Sequence, residues 1–155
     1  MCALEANENV HELLYKYADI VALGTVADVM PILGENRIIV KIGLDRIENT
    51  GNMGLRELIN ASFAEKPFSR PRKITTSSIS FGLAPRINAA GRMGSAQRAL
   101  NLLVTTDEQD AYDLAKEISE ENTLRQQIEK NILEEAVAII ENERLYRQRV
   151  IVVYG

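Results

Sequence analysis

Apolar residues recur along this chain mostly at helical spacing. Val10, Leu13, Leu14 and Tyr17 in ANENVHELLYKYA fall on one face at about 100° per residue, which predicts an amphipathic helix. DIVALGTVADVMPIL follows and is nearly all apolar. Its Ile, Val and Leu content suits a buried strand or a buried helix, and periodicity does not separate the two. GENR is expected as a turn, after which RIIVKIGLDRIENT and MGLRELINASF predict two short helices divided by the breakers Gly51, Asn52 and Gly54. EKPFSRPRK, residues 65–73, is a polar loop containing proline, and the β-branched ITTSSISF suits an extended segment. In PRINAAGRMG, Pro85 is tolerated in a helix only near its first turn, so a helix is expected to begin there. SAQRALNLLVTT predicts a further helix with Ser95 as its N-cap.

From Asp107 to about Asn142 the pattern is one long helix or a bent pair. Ala111, Leu114, Ala115, Ile118, Ile128, Ile132, Leu133, Ala136, Ile139 and Ile140 share a stripe. Asn122, Arg125 and Glu129 interrupt it, where unpaired polar groups are costly if buried. That polar waist suits either a connector crossing a wet cleft or an Arg125–Glu129 pair closing a local gap. RVIVVYG then reads as a strand, and a lone strand needs a partner, so a second domain is expected to begin there.

With 155 residues and 46% hydrophobic content, the chain has the length and composition of one globular domain. No apolar run is long enough to span a membrane, and MCALEANENV lacks the features of a signal peptide, so a cytoplasmic location is expected. Cys2 has no disulfide partner. His11, the one histidine, has no ligand or triad spacing and is expected as an ordinary helix residue. The net charge of −4 argues against sequence-independent nucleic-acid binding, but it averages over a segregation. Lys66, Arg70, Arg72, Lys73, Arg86, Arg92 and Arg98 occupy a window that no Asp or Glu enters between Glu65 and Asp107. Seven acids follow, from Asp107 to Glu121, against a single Lys116. A charge run is often only a solvated face; here the lack of interspersed acids points to a phosphate-bearing partner.

Two motifs carry candidate chemistry. Asp28 is the one charged group in IVALGTVADVMPIL. It is either the N3 acid of a capping pair with Thr25 or a ligand for a hard divalent cation such as Mg²⁺ or Mn²⁺. A helix beginning at Pro85 would turn the N–H groups of Arg86, Ile87 and Asn88 toward an anion. Arg86 and Arg92 would reach the same phosphate or its neighbour, and Gly91 and Gly94 would let the backbone approach.

ALGTVADVMPI with GENRIIVKIGL, then ISFGLAPRINAAGRMGSAQRALNLL, then LAKEISEENTLRQQIEKNILEEA resembles the RecJ single-stranded-DNA-specific exonucleases of the DHH superfamily. The resemblance covers roughly Asp19 to Gly155. It implies a mainly α fold with a minor β component: residues 1–106 as the C-terminal part of an α/β DHH phosphoesterase domain, 107–143 as an interdomain connector helix, and 144–155 as the first strand of a DHHA1-type domain. It implies 5′-to-3′ digestion of single-stranded DNA in repair and recombination. Asp28 would be a catalytic ligand for Mn²⁺ or Mg²⁺, and Arg86, Asn88 and Arg92 would lie along the DNA. The family's paired aspartates and Asp-His-His triplet do not occur in these residues. One carboxylate does not hold a two-metal centre, so the chain alone is expected to be inactive. Two alternatives are another DHH-type phosphoesterase, acting on short oligonucleotides, cyclic dinucleotides or a small phosphate compound, and a non-enzymatic helical module that binds through the acidic stretch.

Overall fold

A computed structural model describes residues 10–64, 73–93 and 96–154. Helix α1 (Val10–Ala27) takes in the amphipathic stretch from Val10 onward and the first half of the apolar run. That run is helix because its burial follows helical spacing: Ala18, Ala22, Leu23 and Val26 are buried while Val21 and Gly24 face outward. His11 lies in the first turns of this helix, as its sequence context predicts. GENR is not a turn but the opening of α2 (Gly34–Ile47), stabilised by a bond from Asn36 Nδ2 to the Pro31 carbonyl. The connection is instead Asp28–Leu33. Helices α1 and α2 pack closely because Gly43 has no side chain: a Cβ there would sit 2.2 Å from the Ala18 carbonyl oxygen.

Helix α3 (Met53–Ala64) begins where the glycine-rich breakers predict. Asn52 is its cap, accepting from the Leu55 amide at 2.8 Å while its Nδ2 donates to the Leu103 carbonyl at 2.7 Å. The Asn52 amide donates in turn to Thr50 Oγ1, and Thr50 donates to the buried Asp19 carboxylate at 2.6 Å. Asp19 also accepts from the Ile20 amide, so each of its carboxylate oxygens has a donor. This chain of polar groups ties α1, the α2–α3 connection and the end of α6 together through the interior.

The segment expected to be extended is helical. Helix α4 (Thr76–Ser78), a π-helical turn (Ile79–Leu83) and α5 (Ala84–Met93) form one continuous run. The helix starts early because Thr75 and Ser78 make a reciprocal capping box. Pro85 therefore sits inside a helix, where a proline lacks the N–H for its bond and crowds the carbonyl four residues back. The π turn immediately ahead widens the backbone at that place, with the Ala84 amide bonding five residues back to Ile79. Arg86 Nη1 donates to the Gly82 carbonyl at 2.7 Å, giving that oxygen a partner.

Helices α6 (Ala96–Val104) and α7 (Glu108–Asn142) complete the bundle. Asp107 caps α7 through its side chain, and Glu108 and Asp110 complement the positive end of the dipole. Of the two expected forms, α7 is the single long helix. It packs against α3, α5 and α6, and one core built on Leu23, Ile47, Leu58, Ile79, Leu83, Leu102 and Ile118 joins all the long helices. The apolar stripe of α7 is buried at Ala111, Ala115 and Ile118, but Ile128, Ile132 and Leu133 are exposed. Asn122 is the last buried residue, with its Oδ1 unpartnered, and Arg125 pairs with Glu129 just beyond it. The polar waist thus marks where α7 leaves the core.

The minor β component is absent among the described residues. Leu145–Arg147 is a 3-10 turn, and Ile151–Tyr154 carries no regular structure and is largely exposed. A strand requires a neighbouring ladder, and no described segment offers one. Cys2, the basic residues Lys66, Arg70 and Arg72, Gly94 and the expected cap Ser95 lie outside the described residues.

Candidate nucleic-acid interface

Asp28 is not a buried acid, and Thr25 does not cap it. Thr25 lies within α1, and its hydroxyl donates to the Val21 carbonyl at 2.8 Å. Asp28 is the C-terminal cap residue of α1 and is exposed. The Met30 amide bonds to the Thr25 carbonyl and the Val29 amide to the Val26 carbonyl, the paired bonds of a Schellman motif. The motif requires a left-handed residue after the cap, which is usually glycine. Here Val29 takes it with φ of 55°. A β-branched residue in that region costs about 1–2 kcal/mol. The two backbone bonds hold the turn against this cost, and the Asp28 carboxylate takes no hydrogen bond from the described residues. Val29→Gly is expected to raise unfolding stability by about 1 kcal/mol through relief of this strain. Urea denaturation measures it, and an unchanged midpoint would argue against the left-handed turn.

The buried carboxylate in this part of the chain is Asp19, one residue before Ile20. Both its oxygens are engaged internally, so it is a structural group. A signal existed in the sequence: Asp19 lies three residues before Ala22 and seven before Val26, the spacing of one helical face.

Among the described residues, two cations of the acid-free window are paired with acids from other helices. Lys73 pairs with Asp45 on α2 at 3.0 Å, and Arg98 pairs with Glu117 and Glu121 on α7 at 2.7 and 2.6 Å. Hydrogen bonds to Asp45 and Glu117 hold these two cations above their ordinary pKa values. Acids distant in sequence therefore neutralise what the window segregates. Arg86 faces α7 and donates from Nε to Ser119 Oγ at 3.2 Å. The expected anion site at a helix N-terminus is absent, because Arg86, Ile87 and Asn88 lie inside the continuous helical run. What remains outward on α5 is Asn88 and Arg92, four residues apart and both exposed, opposite the buried Ala89 and Ala90. Gly91 is exposed beside them, and a Cβ there would meet nothing within 4 Å.

Helix α1, which Asp28 caps, packs against the π turn and α5, so the two candidate features lie on neighbouring elements of one core. Exposed and without an internal partner, the Asp28 carboxylate suits a hard divalent cation as one of several ligands. No group of three or more His, Cys, Asp or Glu residues that would hold a metal ion occurs among the described residues. Asp28 therefore supplies one ligand, not a set.

No family model matches the chain. The single-stranded-DNA-specific exonuclease RecJ of Bacillus subtilis (strain 168) is 36% identical to it over 141 residues, covering 91% of this chain and 17% of that protein. The RecJ exonuclease of Thermus thermophilus is 42% identical over 119 residues, covering 76% of this chain and 16% of that protein. A crystal structure of RecJ from Thermus thermophilus in complex with Mg²⁺ matches the fold with a TM-score of 0.75 at 36% identity, covering 88% of this chain and 20% of that one. A structure of exonuclease RecJ bound to manganese gives 0.68 at 40% identity, covering 78% and 29%. Over the stretch it covers, the chain is a RecJ-type segment. It spans between 16% and 23% of the length of the curated relatives it matches.

Proposed function

We propose that this chain supplies one metal ligand and one wall of the substrate path in a single-stranded-DNA-specific 5′-to-3′ exonuclease of DNA repair and recombination. The observation that carries the proposal is the exposed Asp28 carboxylate, held at a strained turn in a chain that matches RecJ proteins over most of its length. Residues 1–106 would belong to the catalytic DHH-type domain, 107–143 would be the connector, and 144–155 would enter a following DHHA1-type domain. The enzyme would work in the cytoplasm.

In the intact enzyme, Asp28 would be one of several ligands holding Mn²⁺ or Mg²⁺, and that ion would supply Lewis acidity for phosphodiester hydrolysis. Asp28 contributes its oxygen from a backbone that needs no rearrangement. Arg92, with Asn88 beside it, meets the strand, and Arg86 braces α5 against α7 from the other side.

In the intact enzyme, Arg92→Ala is expected to weaken binding of single-stranded DNA and to lower the slope of log affinity against log salt by about 0.7, the share of one phosphate contact on a single strand. Titrations at several salt concentrations measure both quantities. An unchanged slope would remove Arg92 from the path.

A further inference from the structure

We infer that Phe81 is a stacking platform for one base of the single strand, at the far end of the face that carries Asn88 and Arg92. The inference rests on the proposed DNA-handling role and extends it from the phosphates to the bases.

Phe81 lies in the π turn and is 83% exposed. Its neighbours in that turn explain why. Ile79 and Leu83, two residues to either side, are fully buried, so the widened turn directs both inward and leaves Phe81 on the outer side. Scattered exposed apolar residues are ordinary on a protein surface, so exposure alone decides nothing. Position decides more. A π turn has about 4.4 residues and an α turn about 3.6, so the run from Phe81 through Pro85 to Asn88 and Arg92 returns close to one line along the helix. Phe81, Asn88 and Arg92 are all exposed on that line. At about 1.5 Å per residue it extends roughly 16 Å, long enough for more than one nucleotide.

Single-strand binding surfaces combine cations that follow the backbone with aromatic rings that take the bases. This line holds one of each, with an amide between. No acidic residue occurs between Glu65 and Asp107, so nothing on the line itself repels a strand. Among the described residues Arg92 forms no ion pair, in contrast to Arg98 and Lys73. The π turn thus has two effects. It accommodates Pro85, and it leaves Phe81 on the side of the run that the i, i+7 and i+11 spacing shares with Asn88 and Arg92. The partner this chemistry fits is an unpaired nucleobase with its phosphate held toward α5. A duplex offers no free base face and would not engage the ring.

The test uses the intact enzyme, with Ca²⁺ in place of the catalytic metal to prevent cleavage. Oligodeoxynucleotides carrying a single abasic position, moved stepwise along the strand, are titrated and followed by anisotropy. One position is expected to cost the wild type about tenfold in affinity, the range of a base–aromatic stack. Phe81→Ala is expected to lose about tenfold on the unmodified strand and nothing further at that abasic position. Phe81→Tyr should retain affinity, whereas Phe81→Leu, which keeps apolar bulk without a π face, should not. Phe81→Ala binding like the wild type, or Phe81→Leu matching Phe81→Tyr, would overturn the assignment. A fall in melting temperature with affinity unchanged would also overturn it, and would place the ring against another part of the protein. If the wild type fails to bind single-stranded DNA at all, the proposed function itself fails, an outcome distinct from the others.

Discussion

Asp28→Ala in the intact enzyme is expected to lower nucleotide release by roughly a hundredfold or more while leaving the fold and most of the DNA affinity in place. A metal ligand contributes several kcal/mol of charge stabilisation in the transition state, and each 1.36 kcal/mol is about tenfold in rate. The fold should not suffer, because Asp28 is exposed and its role in the Schellman turn is played by backbone amides and carbonyls. Asp28→Asn keeps the shape and removes the charge, so it should fall nearly as far. Single-turnover cleavage of 5′-phosphorylated single strands with Mn²⁺, alongside a melting curve and a binding titration, separates these effects. Retained cleavage in Asp28→Ala would exclude the carboxylate as a ligand. A parallel loss of melting temperature would make it structural.

Gly54→Ala should have the largest effect on stability. A Cβ at Gly54 would lie 1.7 Å from the Leu102 carbonyl oxygen, and at Gly43 it would lie 2.2 Å from the Ala18 oxygen and 2.3 Å from the Ala22 Cβ. Backbone atoms are the main obstacle in both places, so relief requires helices to separate, α3 from α6 in one case and α1 from α2 in the other. Alanine normally gains up to about 1 kcal/mol over glycine within a helix. Overpacking of this kind costs about 3 kcal/mol or more, so the net change should be a loss of at least about 2 kcal/mol at Gly54 and somewhat less at Gly43. Urea denaturation reads the loss directly. A change within about 0.5 kcal/mol at Gly54 would mean that the helices do not approach as closely as described.

Local periodicity was enough to locate α3, the body of α2 and the helical stretch of α7, because each has an apolar face matched to the core, but it left open whether α7 is bent. It was insufficient for the second half of α1, where a nearly all-apolar run fits a buried strand as well as a buried helix. The π turn was illegible for a different reason: Pro85 signals a helix start, and only a tertiary arrangement that buries Ile79 and Leu83 together makes a widened turn preferable. For the site, sequence singled out Asp28 but not its exposure, since an apolar run shows neither where a helix ends nor that Val29 will turn left-handed. Within the acid-free window, the pairing of two described cations was not legible. Lys73 and Arg98 find their acids 28 and 19 residues away, a distance no local window includes.

Helix α7 is anchored as far as Asn122 and unsupported by described residues over much of its length from there to Asn142. Mechanically this is a lever. The free arm measures about 30 Å at 1.5 Å per residue, so a tilt of about 10° at the anchored end carries Asn142 through about 5 Å. The Arg98 pairs with Glu117 and Glu121 and the Arg86 bond to Ser119 clamp the arm just short of its fulcrum. The direction in which the arm leaves the bundle is thereby set by the buried packing of Ala111, Ala115 and Ile118, with these three side-chain contacts closing its last anchored turn.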